Sequence, residues 1–219
     1  MTPMAVGLMI GAPSAGMAAA RLGAARVVAA GLIGLATLLA LTLLWTPETS
    51  APILVGWFFL LTFAMGWVMA PATDAVIGAL PPEKAGVASA TNTVARMVSG
   101  ALGVAVIGSL VSSLYSSDLK DSLPALPPPA RSAATDSVGA AAAIAAHLPA
   151  QAGESLLVAA GDAFTHAMGI GLTVAAGVAA VTAIAVRRLL PAVAPAEEEQ
   201  STANARDAMI EERALPFAR

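Results

Sequence analysis

Long uncharged runs alternate with short polar segments along the chain. Five of the runs are long enough to cross about 30 Å of hydrocarbon as helices that rise about 1.5 Å per residue. They cover residues 1–20, 27–45, 53–80, 86–115 and 163–186. The pattern predicts five membrane-spanning helices within a membrane domain over residues 1–190, followed by a polar, disordered tail over residues 191–219.

The amino-acid composition is also typical of a membrane protein. Of 219 residues, 58% are hydrophobic and 11% are charged, whereas soluble domains have about 45–50% apolar and about 25% charged residues. The predicted fold class is therefore an all-α integral membrane protein. A net charge of −3 without a basic stripe argues against nucleic acid as a partner. The chain has no cysteine, and His147 and His166 lack ligand spacing, so no metal site is predicted.

Basic residues in short loops predict the orientation, because Lys and Arg accumulate on the cytoplasmic side. The residues that share one side are Arg21, Arg26, Lys84, Arg187 and Arg188. The sequence therefore predicts a multi-pass protein of the plasma or inner membrane with a cytoplasmic C-terminus. Residues 116–162 become an external loop on the membrane surface, with a short alanine-rich helix over residues 138–147.

Small residues recur every fourth position on three of the predicted spans. Close packing through small side chains holds helices together in lipid, where hydrophobic attraction does not. The stripes are Gly7, Gly11 and Ala15 on the first span; Ala101, Ala105, Ser109 and Ser113 on the fourth; and Ala167, Gly171, Ala175, Ala179 and Ala183 on the last. Each stripe is a candidate helix-packing face.

Two ionisable residues interrupt apolar runs. Arg96 sits deep in the fourth span, where an arginine costs about 2.5–3.5 kcal/mol, so it either faces a polar partner or extends to the cytoplasmic surface. Asp74 follows Pro71 near the cytoplasmic end of the third span. Either Pro71 breaks the helix and Asp74 caps a short last segment, or Asp74 pairs with Arg96.

Aromatic and histidine side chains add two weaker candidates. Trp67 lies in mid-span with Met65 and Met69 on either side, a group that either packs between helices or lines a cavity for flat apolar ligands. His166 and Asp162 are four residues apart, at a spacing that allows proton sharing or a simple hydrated pair. An enzyme is not predicted, because no nucleophile elbow occurs and both histidines lie near the outer surface.

Several segments resemble one family of transporters. Residues 71–74 read PATD, residues 79–90 read ALPPEKAGVASA, Asn92 and Arg96 follow one turn apart, and residues 100–109 read GALGVAVIGS. This region resembles the penultimate helix of fourteen-helix drug:proton antiporters of the major facilitator superfamily. Two shorter segments agree with the same family. RLGAAR at residues 21–26 resembles its cytoplasmic loop motif, and AFTH at residues 163–166 resembles the start of its final helix.

The resemblance implies that the chain corresponds to the last five helices of such a transporter, most of its C-terminal half. The family exports amphipathic drugs or metabolites in exchange for protons and uses no cofactor beyond the proton gradient. Position by position, the resemblance makes Asn92 and Arg96 core-facing polar groups, with Asp74 a further candidate. It makes Gly100 and Gly103 close-packing positions. The fourfold spacing of small residues on the last span makes Gly171 a further candidate packing position. The resemblance assigns Arg21, Gly23 and Arg26 to the cytoplasmic gate.

Two functions follow as expectations. The first is the truncated C-terminal segment of an efflux transporter, incomplete for transport alone, whose partners are the bilayer, a small amphipathic substrate and the missing N-terminal half. The second is a non-transporting membrane scaffold that associates with another membrane subunit through its small-residue faces.

Overall fold

A computed structural model describes residues 2–45, 49–78, 81–121 and 127–189. Within these residues the chain forms α-helices joined by short turns. In chain order they are α1 (Thr2–Leu22), α2 (Ala24–Leu41), α3 (Ala51–Gly78), α4 (Ala85–Asp121), α5 (Pro128–Asp136), α6 (Val138–Ala145) and α7 (Ala150–Leu189). The predicted tail over residues 191–219 lies outside the described residues.

The prediction of five membrane-spanning helices is confirmed. The candidate spans, long and apolar enough to cross a bilayer, are Pro3–Leu22, Ala24–Leu44, Ala51–Gly78, Ala85–Lys120 and Ala150–Leu189. A helix forms nearly all of its backbone hydrogen bonds within itself, which hydrocarbon requires. The chain is an all-α, multi-pass membrane protein.

The helices form two compact units. The described part of the first unit comprises residues 2–38, 49–78, 81–89 and 179–189, and its main feature is the packing of α1 along α3. The small-residue stripe of α1 lies in this contact, with Ala15 fully buried. The prediction of a packing face on the first span is therefore confirmed.

The second unit comprises residues 39–45, 90–121 and 127–178 among those described. In it, α5 and α6 pack together over the end of α4 and the beginning of α7. The buried apolar cluster that joins them consists of Tyr115, Leu119, Ala134, Ala141, Ala145, Leu156, Ala160, Ala163 and Ala167. This region has a hydrophobic core of its own.

The interpretation that Pro71 breaks the third helix is wrong. α3 runs unbroken from Ala51 to Gly78 with Pro71 buried inside it, so Asp74 is a helix-interior residue and caps no separate segment. A proline removes one backbone hydrogen bond. Unwinding the helix in hydrocarbon would free further peptide groups at several kcal/mol each, which is the larger cost.

The helices around the predicted external loop are longer than expected. α4 continues to Asp121 and α7 begins at Ala150, inside the predicted 116–162 loop. The 37 residues of α4 and 40 of α7 correspond to about 55–60 Å of helix, well beyond the hydrocarbon thickness of about 30 Å. The added turns contain Ala and Leu, which favour a helix. They also contain Asp118, Lys120, Asp121, Glu154 and Asp162, and these charged residues interrupt the apolar runs from which the spans are predicted. The predicted alanine-rich helix is present as α6.

Candidate functional site

Backbone contact between α1 and α3 depends on three glycines. A Cβ added at Gly7 would lie 2.5 Å from the Phe59 carbonyl oxygen, and one at Gly11 would lie 2.6 Å from that of Phe63. A Cβ on Gly66 would lie 2.8 Å from the Ala12 nitrogen. These distances are too short for any side chain, so the two backbones approach closely only because the glycines have none.

Trp67 extends this contact with a hydrogen bond. Its indole Nε1–H donates to Ser14 Oγ at 3.0 Å, and the Ser14 hydroxyl donates to the Gly11 carbonyl oxygen at 2.8 Å. The Trp67 ring also follows Phe59 and Phe63 along α3, with neighbouring centroids 6.3 and 5.8 Å apart. Because both its polar and its apolar parts are engaged, the Trp67 side chain is fixed in the α1–α3 contact.

The same tryptophan borders a small apolar cavity between α2 and α3. The cavity has a volume of about 220 Å³ and is lined by Ala30, Gly31, Gly34, Leu38, Leu60, Phe63, Ala64 and Trp67. Met65 and Met69 are not among its lining residues, and Met65 is exposed. Trp67 thus packs against α1 and also lines this cavity, whereas the two methionines do not line it. Binding of a flat apolar ligand there stays a prediction.

The predicted gate residues lie at the tight turn between α1 and α2. Arg21 and Arg26 are exposed. Gly23 joins the two helices with φ 85°, and its N–H donates to the Ala19 carbonyl oxygen at 2.9 Å. This left-handed conformation suits a residue without a Cβ. The turn sets the direction in which α2 leaves α1 and holds both arginines at one end of the first unit.

Substituting Gly23 tests the turn. Gly23→Ala is expected to lower the free energy of unfolding by about 1–2 kcal/mol, the usual cost of an L-residue in the left-handed region. The measurement is unfolding by SDS titration in neutral-detergent micelles, followed by circular dichroism. Gly16→Ala is the matched control, because Gly16 lies within α1 and an added Cβ there meets no atom within 4 Å. Equal stability of the two variants would contradict the strained turn.

The predicted core-polar residues lie in two different units. Asp74 is exposed on α3 in the first unit. Asn92 is half-buried and Arg96 exposed on α4, one turn apart, in the second. The pairing of Asp74 with Arg96 therefore joins two units and stays a prediction.

The predicted packing glycines differ in their surroundings. At Gly171 an added Cβ would lie 2.8 Å from Val111 Cγ2, so this glycine sits where α7 passes α4. At Gly100 and Gly103 it would meet no atom within 4 Å in the described part of the chain. In the described part of the chain, no atom fills the space beside these two glycines. Their packing role stays a prediction, and it would require a further helix at this position.

The sequence does not predict one contact between histidine and carboxylate side chains, which links α4 to α7. His166 Nδ1 lies 2.7 Å from Asp118 Oδ2, with side chains 65% and 34% exposed. The partner is thus Asp118, 48 residues away, rather than the neighbouring Asp162. A pair this accessible to water contributes about 0–1 kcal/mol.

An open acidic cavity lies beside that pair. It has a volume of about 710 Å³, and its lining includes Asp118, Glu154, Asp162 and His166. Within the described ranges, no group of three or more His, Cys, Asp or Glu side chains is arranged to hold a metal ion.

This chain is a polytopic α-helical membrane protein. Its helices α1 and α3 pack against each other through glycines, and its spans carry few polar side chains. Three quarters of it align with drug efflux proteins. The multidrug efflux pump LfrA of Mycolicibacterium smegmatis is 30% identical over 162 residues, which is 74% of this chain and 32% of that protein. The methyl viologen resistance protein SmvA of Salmonella typhimurium is 35% identical over 169 residues, 75% of this chain and 33% of SmvA.

A third relative has a related role. The tetracenomycin C resistance and export protein of Streptomyces glaucescens is 32% identical over 120 residues, 52% of this chain and 21% of that protein. No protein-family model matches the chain. The relatives that the chain resembles over 52–75% of its length are drug efflux and resistance transporters of the major facilitator superfamily. This chain spans about a third of the length of LfrA and of SmvA. Because these relatives are transporters, the prediction that the chain is not an enzyme is confirmed.

Proposed function

We propose that this chain is the C-terminal part of a proton-coupled exporter of small amphipathic compounds, which needs an N-terminal half to transport. The observation that carries the proposal is identity of 30–35% to two efflux and resistance proteins over three quarters of the chain. The chain covers only a third of each. Transport by rocking of two halves around a central site requires both halves.

Within that exporter we assign roles to the polar residues. Asn92 and Arg96 are core-facing groups of the penultimate helix, and Asp74 is a third candidate. Burial of such groups in hydrocarbon is costly enough that they normally line a water-filled path or pair with each other. The exposure of Arg96 in this chain is compatible with a surface that the second half covers.

The proposal is tested in a bacterium that lacks its own efflux pumps. One strain expresses the chain as it is, and another expresses it joined in frame to the coding sequence upstream of Met1. Loss of a preloaded cationic dye is followed with and without a protonophore. We expect protonophore-sensitive export only from the joined protein. Export by the chain alone would overturn its incompleteness, and no export by either would overturn the transporter assignment.

We further propose that the C-terminus and the α1–α2 turn face the cytoplasm, while residues 116–162 lie outside. The absence of cysteine gives a clean test by single-cysteine labelling. Ser155→Cys is expected to react with a membrane-impermeant maleimide in intact cells, because Ser155 is exposed near the start of α7. Glu83→Cys, also exposed, is expected to react only after permeabilisation. The reverse labelling pattern would contradict this orientation.

A second candidate function is a non-transporting scaffold that binds another membrane subunit. The observation that favours it is the apolar surface of α4, where Met97, Leu102 and Val104 are 71%, 60% and 77% exposed in the described structure. Purification in a neutral detergent distinguishes the two functions. A stable, specific partner that is not a transporter half would favour the scaffold, whereas association with an N-terminal transporter half would favour the exporter.

A further inference from the structure

One side chain in the first unit takes part in two structures at once. Trp67 donates its indole N–H to Ser14 Oγ of α1 at 3.0 Å, and it also lines the apolar cavity of about 220 Å³ between α2 and α3. Ser14 and the described lining residues of this cavity all belong to the first unit. A change in the position of the Trp67 indole therefore alters both the contact with α1 and the free space beside α2.

The backbone of α3 is closely held on two sides at the level of Trp67. An added Cβ on Gly31 of α2 would lie 3.0 Å from the Trp67 Cβ and 3.1 Å from its carbonyl carbon. On the α1 side, an added Cβ on Gly66 would lie 2.8 Å from the Ala12 nitrogen. Such close approach through glycines fixes the three backbones relative to one another. The movement that remains is rotation of the Trp67 side chain about its own torsions.

The hydrogen bond to Ser14 is the directional contact that opposes this rotation. The Phe63 ring also contacts the indole, with centroids 5.8 Å apart, but an apolar contact restricts the orientation of a ring less than a hydrogen bond, which weakens steeply with angle. The Ser14 hydroxyl is itself oriented, because it donates to the Gly11 carbonyl oxygen at 2.8 Å and so presents a lone pair to the indole N–H. Ser14 is therefore a positioning residue for Trp67.

The cavity is the free space into which a released indole can turn. Its described lining consists of Ala, Gly, Leu, Phe and Trp residues, an apolar surface that suits an aromatic ring. Toward α1 the close approach at Gly11 and Gly66 leaves too little room for the ring. An unfilled void deprives its walls of dispersion contacts, so a ring that is free to turn gains contacts by entering the void.

We propose that the Ser14–Trp67 hydrogen bond is a latch that keeps the α2–α3 cavity unfilled and couples it to the position of α1. When the bond breaks, the indole turns into the cavity and reduces its volume. α1 ends next to the turn at Gly23, so a displacement of α1 that separates Ser14 from Trp67 would be transmitted to the cavity. The inference concerns the first unit and stands whether or not the chain is part of an exporter.

A single introduced thiol reports the free space, since the chain has no cysteine. Gly34→Cys places the thiol in the cavity lining, where an added Cβ meets Ala64 Cβ at an ordinary 3.7 Å. The full chain is purified in a neutral sugar-headgroup detergent, and its rate of reaction with N-ethylmaleimide is measured. We expect Ser14→Ala to slow this reaction by about threefold or more, the shift that one hydrogen bond between membrane helices gives. An unchanged or faster reaction would overturn the latch.

Further variants, all in the Gly34→Cys protein, show whether the effect acts through the hydrogen bond. Ser14→Thr keeps a hydroxyl and should restore the rate of the Gly34→Cys parent. Ser109→Ala is the matched control, because Ser109 also donates to a backbone carbonyl three residues earlier but lies in the second unit; it should react at the parent rate. With Trp67→Phe, which has no N–H, adding Ser14→Ala should have no further effect. The same slowing by Ser14→Ala in the Trp67→Phe protein would show a general loosening of α1 and reject the assignment.

Discussion

Replacing Gly11 by leucine is expected to force α1 away from α3 and to lower the free energy of unfolding by about 3 kcal/mol or more. The reason is geometric. An added Cβ would lie 2.6 Å from the Phe63 carbonyl oxygen and 3.0 Å from its Cα, and backbone atoms cannot rotate away as a side-chain end can. Because proteins are stable by only about 5–15 kcal/mol, the variant should unfold at much lower SDS fractions in mixed micelles.

The controls for Gly11→Leu separate backbone contact from side-chain size. Gly16→Leu adds the same side chain to α1 at a position where a Cβ meets no atom within 4 Å, and its stability should stay near that of the parent. Gly11→Ala adds only the Cβ and should already lose a large part of the stability. If Gly11→Leu unfolded at the same SDS fraction as Gly16→Leu, the close α1–α3 contact would be rejected.

The sequence predicts the number of spans but only part of their packing. Length and hydropathy determine whether a segment can cross a bilayer, and all five predicted spans have their helices in the structure. A stripe of small residues shows only that close approach is allowed. On α1 the stripe meets α3, whereas on α4 the residues Ala101, Ala105 and Ser109 are exposed in the described chain. Spacing along one helix does not identify the helix that packs against it.

Long-range contacts account for most of what the sequence does not predict about the site. The histidine at position 166 has an acidic neighbour at Asp162, one turn away, yet its partner is Asp118 on another helix. Likewise, the Ser14–Trp67 hydrogen bond joins residues 53 positions apart. Both depend on which helices become neighbours, and that in turn depends on all the packing contacts together.

Pro71 shows that the effect of a proline on a helix depends on whether water or hydrocarbon surrounds it. In water a proline within a helical pattern is a reasonable place to end the helix. In hydrocarbon the unwound backbone has no water to bind, so the intact helix with one missing hydrogen bond has the lower free energy. A membrane assignment made from composition therefore also has to change how local helix-breaking signals are interpreted.

Replacing Arg96 by alanine is expected to reduce export by the joined transporter at least about tenfold while leaving its amount in the membrane unchanged. An arginine at the centre of a helix costs about 2.5–3.5 kcal/mol on insertion, so its removal makes insertion of α4 easier, and any loss of export reports on function rather than on assembly. The measurement is the initial rate of dye loss, normalised to transporter in the membrane fraction by immunoblot.

Further variants define what Arg96 supplies. Arg96→Lys keeps the charge but loses the planar fork of donors that binds a carboxylate with two hydrogen bonds. If Arg96 acts through such a bidentate contact, the lysine variant should export nearly as slowly as the alanine variant; if only charge matters, it should retain most of the rate. Lys120→Ala, on the same helix and exposed, is the matched control and should export normally. A normal export rate in Arg96→Ala would show that Arg96 does not line the transport path, because removing a charged side chain from that path is expected to slow export.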